Sequence, residues 1–378
     1  MILIGTDQGI YRWIEGAGWP VFHTLQERAV VSLTSPGRGV VIAVDRKGVV
    51  LESQDSGLSW RVLPLPKGVT ATTSVTCAGI PPRIVAAVKP LGIYQRPVGG
   101  STPRATVARA AEGAGFAPLV LTRARGMAQV ATARLAPARF QHTADAQALS
   151  LAGWTALKAP PVSTDSVASR DRGLVVSPTE IRWIEALPGD PLSLLAAVRG
   201  TGLWSSNDGG QGWTRCAGLP TEVFSVRAVP GRTNHAWAAT GDGAWRTTDG
   251  GQTWEDRSAG LENVRHVQVI EVKPGEPDKL LAGCAPARNA SSGAAPEGLN
   301  YGLFESANGG KSWKRVMNNF PDSLGSDTIS DIRFDPATPD HAVVALGSGE
   351  IWVTRNGGFY WGPLARQIHA ARVLCATP

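Results

Sequence analysis

The sequence predicts an all-β chain folded as a single closed β-propeller. Three observations carry this: a phrase that recurs five times, a period of forty-odd residues around it, and strand-like segments filling each period. The phrase is Ser/Thr-x-Asp/Asn-x-Gly-x-x-Trp. It reads SQDSGLSW at 53–60, SNDGGQGW at 206–213, TTDGGQTW at 247–254, SANGGKSW at 306–313 and TRNGGFYW at 354–361.

Nine residues before each Trp stands a bulky apolar anchor: Leu51, Trp204, Trp245, Phe304 and Trp352. Three further units keep the anchor and lose most of the phrase; they end at Tyr11, Tyr94 and Phe140. Successive anchors are 40, 43, 46, 64, 41, 59 and 48 residues apart. Eight anchors predict eight blades. Seven is the alternative, because the unit around Phe140 is the weakest.

Within one period the segments follow in order. EVFSVRAVP (222–230) alternates and stops at proline, HAWAAT (235–240) is a second apolar run, and GAWRTT (243–248) is a third. An Asp-Gly-Gly turn then leads to TWEDRS (253–258). Asp-Gly between two such runs is a hairpin signal, because glycine accepts the positive φ that the turn needs. Four short antiparallel strands per period make a propeller blade. Helical spacing arises only in PRATVARAAEGA (103–114). The chain opens on a second-strand pattern, ILIGT, and closes on a first-strand pattern within QIHAARVLCATP, so the two ends are expected to share a blade. The whole chain, 1–378, reads as one domain with two insertions, 158–179 and 284–299. Both fall on connections that leave a blade on the side opposite the phrases, which predicts that side as the working face.

The five phrases resemble the Asp-boxes (BNR repeats) of sialidases, sortilin-type receptors and photosystem-assembly propellers. The resemblance implies a propeller hairpin and leaves function open, since the family holds enzymes and non-enzymes. The residues suit a structural fastener. Asp55, Asp208, Asp249, Asn308 and Asn356 would accept backbone N–H bonds across the turn. Ser53, Ser206, Thr247, Ser306 and Thr354 would bond back, and Trp60, Trp213, Trp254, Trp313 and Trp361 would cover the hairpin. Asn at two of five positions argues against a catalytic carboxylate.

Sialidase chemistry would need a Tyr/Phe-Arg-Ile-Pro signature. The nearest match, PPRIVA at 81–86, lacks both flanking residues, and Tyr11 and Tyr94 are spent as anchors. A carboxylate pair such as Glu180 and Glu185 is open but not singled out. There is no His-x-His, no Cys-x-x-Cys among the four cysteines and no phosphate loop, so neither metal nor cofactor is expected.

Charge is unevenly placed. The net formal charge is +6, and residues 90–144 carry all of it: Arg96, Arg104, Arg109, Arg123, Arg125, Arg134 and Arg139 against Glu112. These seven arginines are the expected partner-binding residues. Arginine binds carboxylate and phosphate bidentately, so the expected partner is an acidic protein surface or an anionic membrane-associated complex. Nucleic acid is disfavoured, because apart from the anchor Tyr94 the segment offers only Phe116 and Phe140 for stacking. With no basic leader and no long apolar run, the expected location is cytoplasmic, peripheral to a membrane. The reading is a non-catalytic scaffold, a subunit or assembly factor of a larger complex. The resemblance to photosystem-assembly propellers makes a photosynthetic or other membrane complex the expected partner class. A sialidase-like glycoside hydrolase and a ligand-binding sensor propeller are the alternatives.

Overall fold

Each blade is a meander of four antiparallel strands. In one, Val223–Ala228, Ala236–Thr240, Gly243–Thr247 and Glu255–Asp256 lie side by side in chain order. The computed structural model describes residues 1–99 and 153–376, save 15–19, 80–81, 90, 163–166, 169–174, 177–179, 189–191, 262–263, 286–301, 323, 325–326, 366–367 and 369. There are seven four-stranded sheets, so the chain is a seven-bladed β-propeller. No helix occurs among the described residues, and 103–114 lies outside them.

The first strands of the blades are Ala371–Ala376, Val30–Gly37, Ala71–Ala78, Ile181–Leu187, Val223–Ala228, His266–Val272 and Ile329–Phe334. Taken in that order as blades one to seven, each touches the next, and the seventh touches the first. They therefore form the innermost ring. Blade one is shared between the ends: Ala371–Ala376 pairs with Ile2–Thr6, with Ile2 opposite Ala376 and Ile4 opposite Leu374.

The second strands lie inside a sheet and have other blades against both faces. They are buried along their whole length, as in Ser193–Val198, Ala236–Thr240, Leu280–Ala285 and Ala342–Leu346. This is why they read as unbroken apolar runs (SLLAAV, AVVAL) and do not alternate. The core is accordingly spread around the ring in clusters between blades. One cluster joins Val85 and Ile93 of blade three to Ile184 and Leu194 of blade four; another joins Val343 and Val353 of blade seven to Ile2 and Leu374 of blade one.

The eighth blade does not exist. The third strand of blade three, Gly92–Pro97, pairs directly with Thr155–Leu157, with Ile93 opposite Leu157. The unit anchored on Phe140 therefore falls within a single hairpin connection, and Phe140 itself lies outside the described residues. The misreading has a clear origin. Trp154 stands immediately before the fourth strand, as Trp60, Trp213, Trp254 and Trp313 do in their blades. Read across the insertion, YQRPVGGS (94–101) followed by GW (153–154) matches WSSNDGGQGW (204–213). An interrupted copy of the phrase was thus counted as two units.

Topology also corrects the working-face expectation for the arginines. The insertion of 100–152 sits between third and fourth strands, so it leaves the blade on the same side as the five phrases. The other two insertions leave on the opposite side. The one spanning 158–179 runs between blades three and four and includes a two-residue ladder, Val167–Ala168 with Val175–Val176. The one predicted at 284–299 joins the second and third strands of blade six, Leu280–Ala285 and Gly302–Ser306, and so begins two residues later than expected.

Excising 102–152 returns the spacing from Tyr94 to Trp154 to nine residues and leaves every described strand in place. Loop closure depends only weakly on loop length. The excised protein is expected to keep its far-ultraviolet dichroism and to melt cooperatively within roughly 5 °C of the intact chain.

Candidate functional site

The five phrases form five separate turns with one hydrogen-bond pattern. Ser53, Ser206, Thr247, Ser306 and Thr354 each accept the amide of the glycine four residues on, at 2.7–3.0 Å. Each hydroxyl donates to the Oδ1 of Asp55, Asp208, Asp249, Asn308 or Asn356 at 2.8–3.0 Å. That same oxygen accepts the amide of the residue four further on: Ser59, Gly212, Thr253, Ser312 or Tyr360. Asp and Asn both supply an accepting Oδ1, so they interchange. Glycine is required beside them: Gly310 has φ 74°, and a Cβ there would lie 2.5 Å from the Trp237 ring of the neighbouring blade.

The tryptophans divide. Trp60 and Trp254 donate from Nε1 to Gly57 and Gly251 of their own turns. Trp213 and Trp313 instead donate to Lys158 and Arg257, each just beyond the fourth strand of the preceding blade, at 2.7 Å. Trp154 does the same to Pro64 at 3.0 Å, which places it in the equivalent position. Trp361 is fully buried against Phe320. Among the described residues, no group of three or more His, Cys, Asp or Glu side chains is placed to hold a metal ion.

Of the seven predicted partner-binding arginines, Arg104, Arg109, Arg123, Arg125, Arg134 and Arg139 lie outside the described residues. Arg96 is described, and it is no surface residue. It is 2% exposed, with its guanidinium 5.4 Å over the Trp154 ring. Burial pulls its pKa down, against the pull of Glu52. Arg96 is part of a clamp at the base of the insertion. Gly99 donates its amide to Glu52, Val98 donates to Pro82, and Arg61 pairs with the same Glu52.

The first strands carry a second constellation, which sequence reasoning missed. Each has a β-bulge near its start, at the second residue in five blades and at the third in blades three and six: Arg372, Val31, Thr73, Arg182, Phe224, Gln268 and Ser330 are skipped in pairing with the second strand. Three residues further in, blades four to seven present Glu185, Arg227, Glu271 and Arg333, alternating in sign. Arg227 and Arg333 both reach Glu271 at 3.1 Å and also reach Asp331, at 3.1 and 2.7 Å. Arg227 stacks on Trp183 at 4.4 Å. Glu185 accepts the amide of Ala228. Burial pushes the carboxyls of Glu185 and Glu271 up, and the neighbouring arginines pull them back. Aligning the seven first strands would have put these four charges in one column.

The innermost strands thus carry carboxylates as well as arginines. These carboxylates are tied to arginines or to backbone amides. Glu180 and Glu185 have separate partners: Glu180 binds Lys89 and Arg199, while Glu185 faces Arg227 and Ala228.

No protein-family model and no curated protein matches the chain. Solved structures match its fold. A YCF48 protein bound to a D1 peptide aligns with a TM-score of 0.55 at 13% identity, over 93% of this chain and 86% of that one. YCF48 from Cyanidioschyzon merolae gives 0.52 at 13% identity, over 89% and 85%. A GH74 xyloglucanase from Xanthomonas campestris gives 0.62 at 15% identity, over 97% of this chain and 52% of the enzyme. Structures of this architecture thus include both a peptide-bound protein and a glycoside hydrolase, and such identities speak to fold alone.

The turn carboxylates set a pH dependence. Bonds from the Ser59 hydroxyl and amide hold Asp55 at about 2. An unfolded Asp titrates near ~3.9. A depressed folded pKa contributes stability that is fully present above the unfolded value and is lost as pH falls through the folded one. Relative to Asp55→Asn, the wild-type protein is expected to lose stability progressively from about pH 4 to about pH 2, read by denaturant titration at each pH. The turns of Asn308 and Asn356 should contribute nothing to that slope.

Proposed function

We propose that this chain is a non-catalytic propeller scaffold, a subunit or assembly factor that docks through its basic insertion onto an acidic surface of a larger complex. The observation that carries the reading is the insertion itself. Once Arg96 is removed from the count, six arginines stand against Glu112 and Asp145 between 100 and 152, in a segment that interrupts one fastening turn. Both ends of the insertion are clamped to blades two and three through Glu52, Pro64, Arg96 and Trp154. A rigid ring holding such a segment in place keeps the ordering cost of binding low. Likeness in fold to a YCF48 protein bound to a D1 peptide supports peptide or protein recognition as the class of activity. A photosynthetic or other membrane complex, met on its cytoplasmic side, is the partner class that fits the charge and the fold together.

The second reading, glycoside hydrolysis, rests on likeness in fold to the GH74 xyloglucanase and on the carboxylates of the innermost strands. The two separate in one experiment. Affinity-tagged full-length protein and the 102–152 excision are used to recover partners from native membranes at low and high salt. Charge docking predicts a partner held by the intact chain at low salt, released at high salt and absent with the excised chain. Equal recovery by both chains, or no partner together with xyloglucan hydrolysis, contradicts the proposal.

A further inference from the structure

The seven bulges point to a second binding site. An innermost strand has its own blade on one side and neighbouring first strands against its faces, so a side chain exposed from it reaches solvent through the central opening. The residues flanking the bulges are buried: Ile181, Ala371 and Val373 are 0%, 1% and 7% exposed. Arg182 and Arg372, the bulged residues between and beside them, are exposed. A bulge re-aims the side chain it carries, and here it does so at the same level in all seven blades.

Five of the seven bulged residues are polar, and the charged ones, Arg182 and Arg372, are both positive. Arg182 lies 5.5 Å over the Phe224 ring, and Phe224 packs at 4.6 Å on His266, a contact chain that runs from blade four to blade six. Neither Arg182 nor Arg372 makes a hydrogen bond or ion pair among the described residues. Deeper in the ring Arg227 and Arg333 are fully engaged by Glu271 and Asp331. Glu180 and Glu222 act on Arg182 only at longer range, and Glu180 is itself held by Lys89 and Arg199. The amide of Gln268, two blades from Arg182, adds a neutral donor and acceptor. These two guanidiniums, with no hydrogen-bond or ion-pair partner among the described residues, stand three blades apart around one opening.

We propose that the opening on the side away from the five turns binds a small molecule carrying at least two carboxylate or phosphate groups, gripped by Arg182 and Arg372. This site is independent of the basic insertion, which leaves the ring on the other side. The test is calorimetric titration of the full chain with citrate, with inorganic pyrophosphate and with acetate, at matched ionic strength. Saturable binding of citrate or pyrophosphate is expected, and which of the two binds identifies the oxyanion. Acetate is expected to bind at least tenfold more weakly. Arg182→Gln and Arg372→Gln should each weaken binding at least tenfold, while Arg232→Gln, on an exposed turn of the opposite side, should leave it unchanged. Thermal melting of each variant establishes that the ring is intact, and Arg182→Lys provides a second, charge-retaining probe with an intermediate affinity. No saturable binding by wild type, or equal affinity in all variants, overturns the proposal.

Discussion

Each innermost strand has an edge without a strand partner, and the structure depends on how that edge is satisfied. Unpaired backbone groups in a buried edge are costly. Here polar side chains of the neighbouring blade supply the missing partners. Ile184 donates its amide to Ser74, Ala228 to Glu185, and Leu374 to Asp331 at 2.9 Å. In the other direction Thr73 donates to the carbonyl of Ile181, and Ser225 to that of Gln268. The blades are thus stitched at the axis by hydrogen bonds, between their sheets by apolar side chains, and at the rim by tryptophans reaching the preceding blade. Asp331 has a particular place in this scheme. It accepts from the strand that closes the ring and from two arginines, so the charge arc and the closure share one carboxylate.

Much of this was legible in the sequence. The turn phrase, the four-strand period and the shared blade follow from residue types with local causes: glycine where φ is positive, Ser/Thr and Asp/Asn at fixed offsets, an unbroken apolar run for a strand buried on both faces. The errors came where a local pattern had two structural meanings. The aromatic of PARF, three residues after Pro137, has the look of a blade anchor, and it hides the split phrase that ends in Trp154. Arg96 was grouped with its basic neighbours, although a guanidinium stacked on indole and an exposed one are the same letter. The alternating Glu185, Arg227, Glu271 and Arg333 column emerges only when the first strands are aligned, because the four residues are neighbours only across blades. Within its own strand each stands with at most one other charge, as Glu185 with Arg182 and Arg333 with Asp331.

The two sides of the ring divide the work. The fastening turns and the basic insertion share one side, and there the cost of interrupting a turn is offset by clamping both ends of the insertion. The bulged ring opens on the other side, where the innermost strands begin. The charge arc lies between them and consumes its own arginines and carboxylates. This arrangement ties up the charges of the interior, while Arg182 and Arg372 at the opening have no hydrogen-bond or ion-pair partner among the described residues.

Ring closure, sealed by Asp331, should be as stable as the rest of the fold. Native-state hydrogen exchange of the closing strand measures this directly. The account predicts that the amides of Val373, Leu374 and Cys375 exchange only through global unfolding, at the level of Ala236–Thr240 in blade five. It further predicts that Asp331→Ala, which leaves a buried charge pair broken at a cost of about 3–5 kcal/mol, lowers protection in the closing strand first. Closing-strand amides that exchange at loop-like rates in the wild-type protein, while blade five stays protected, would contradict it.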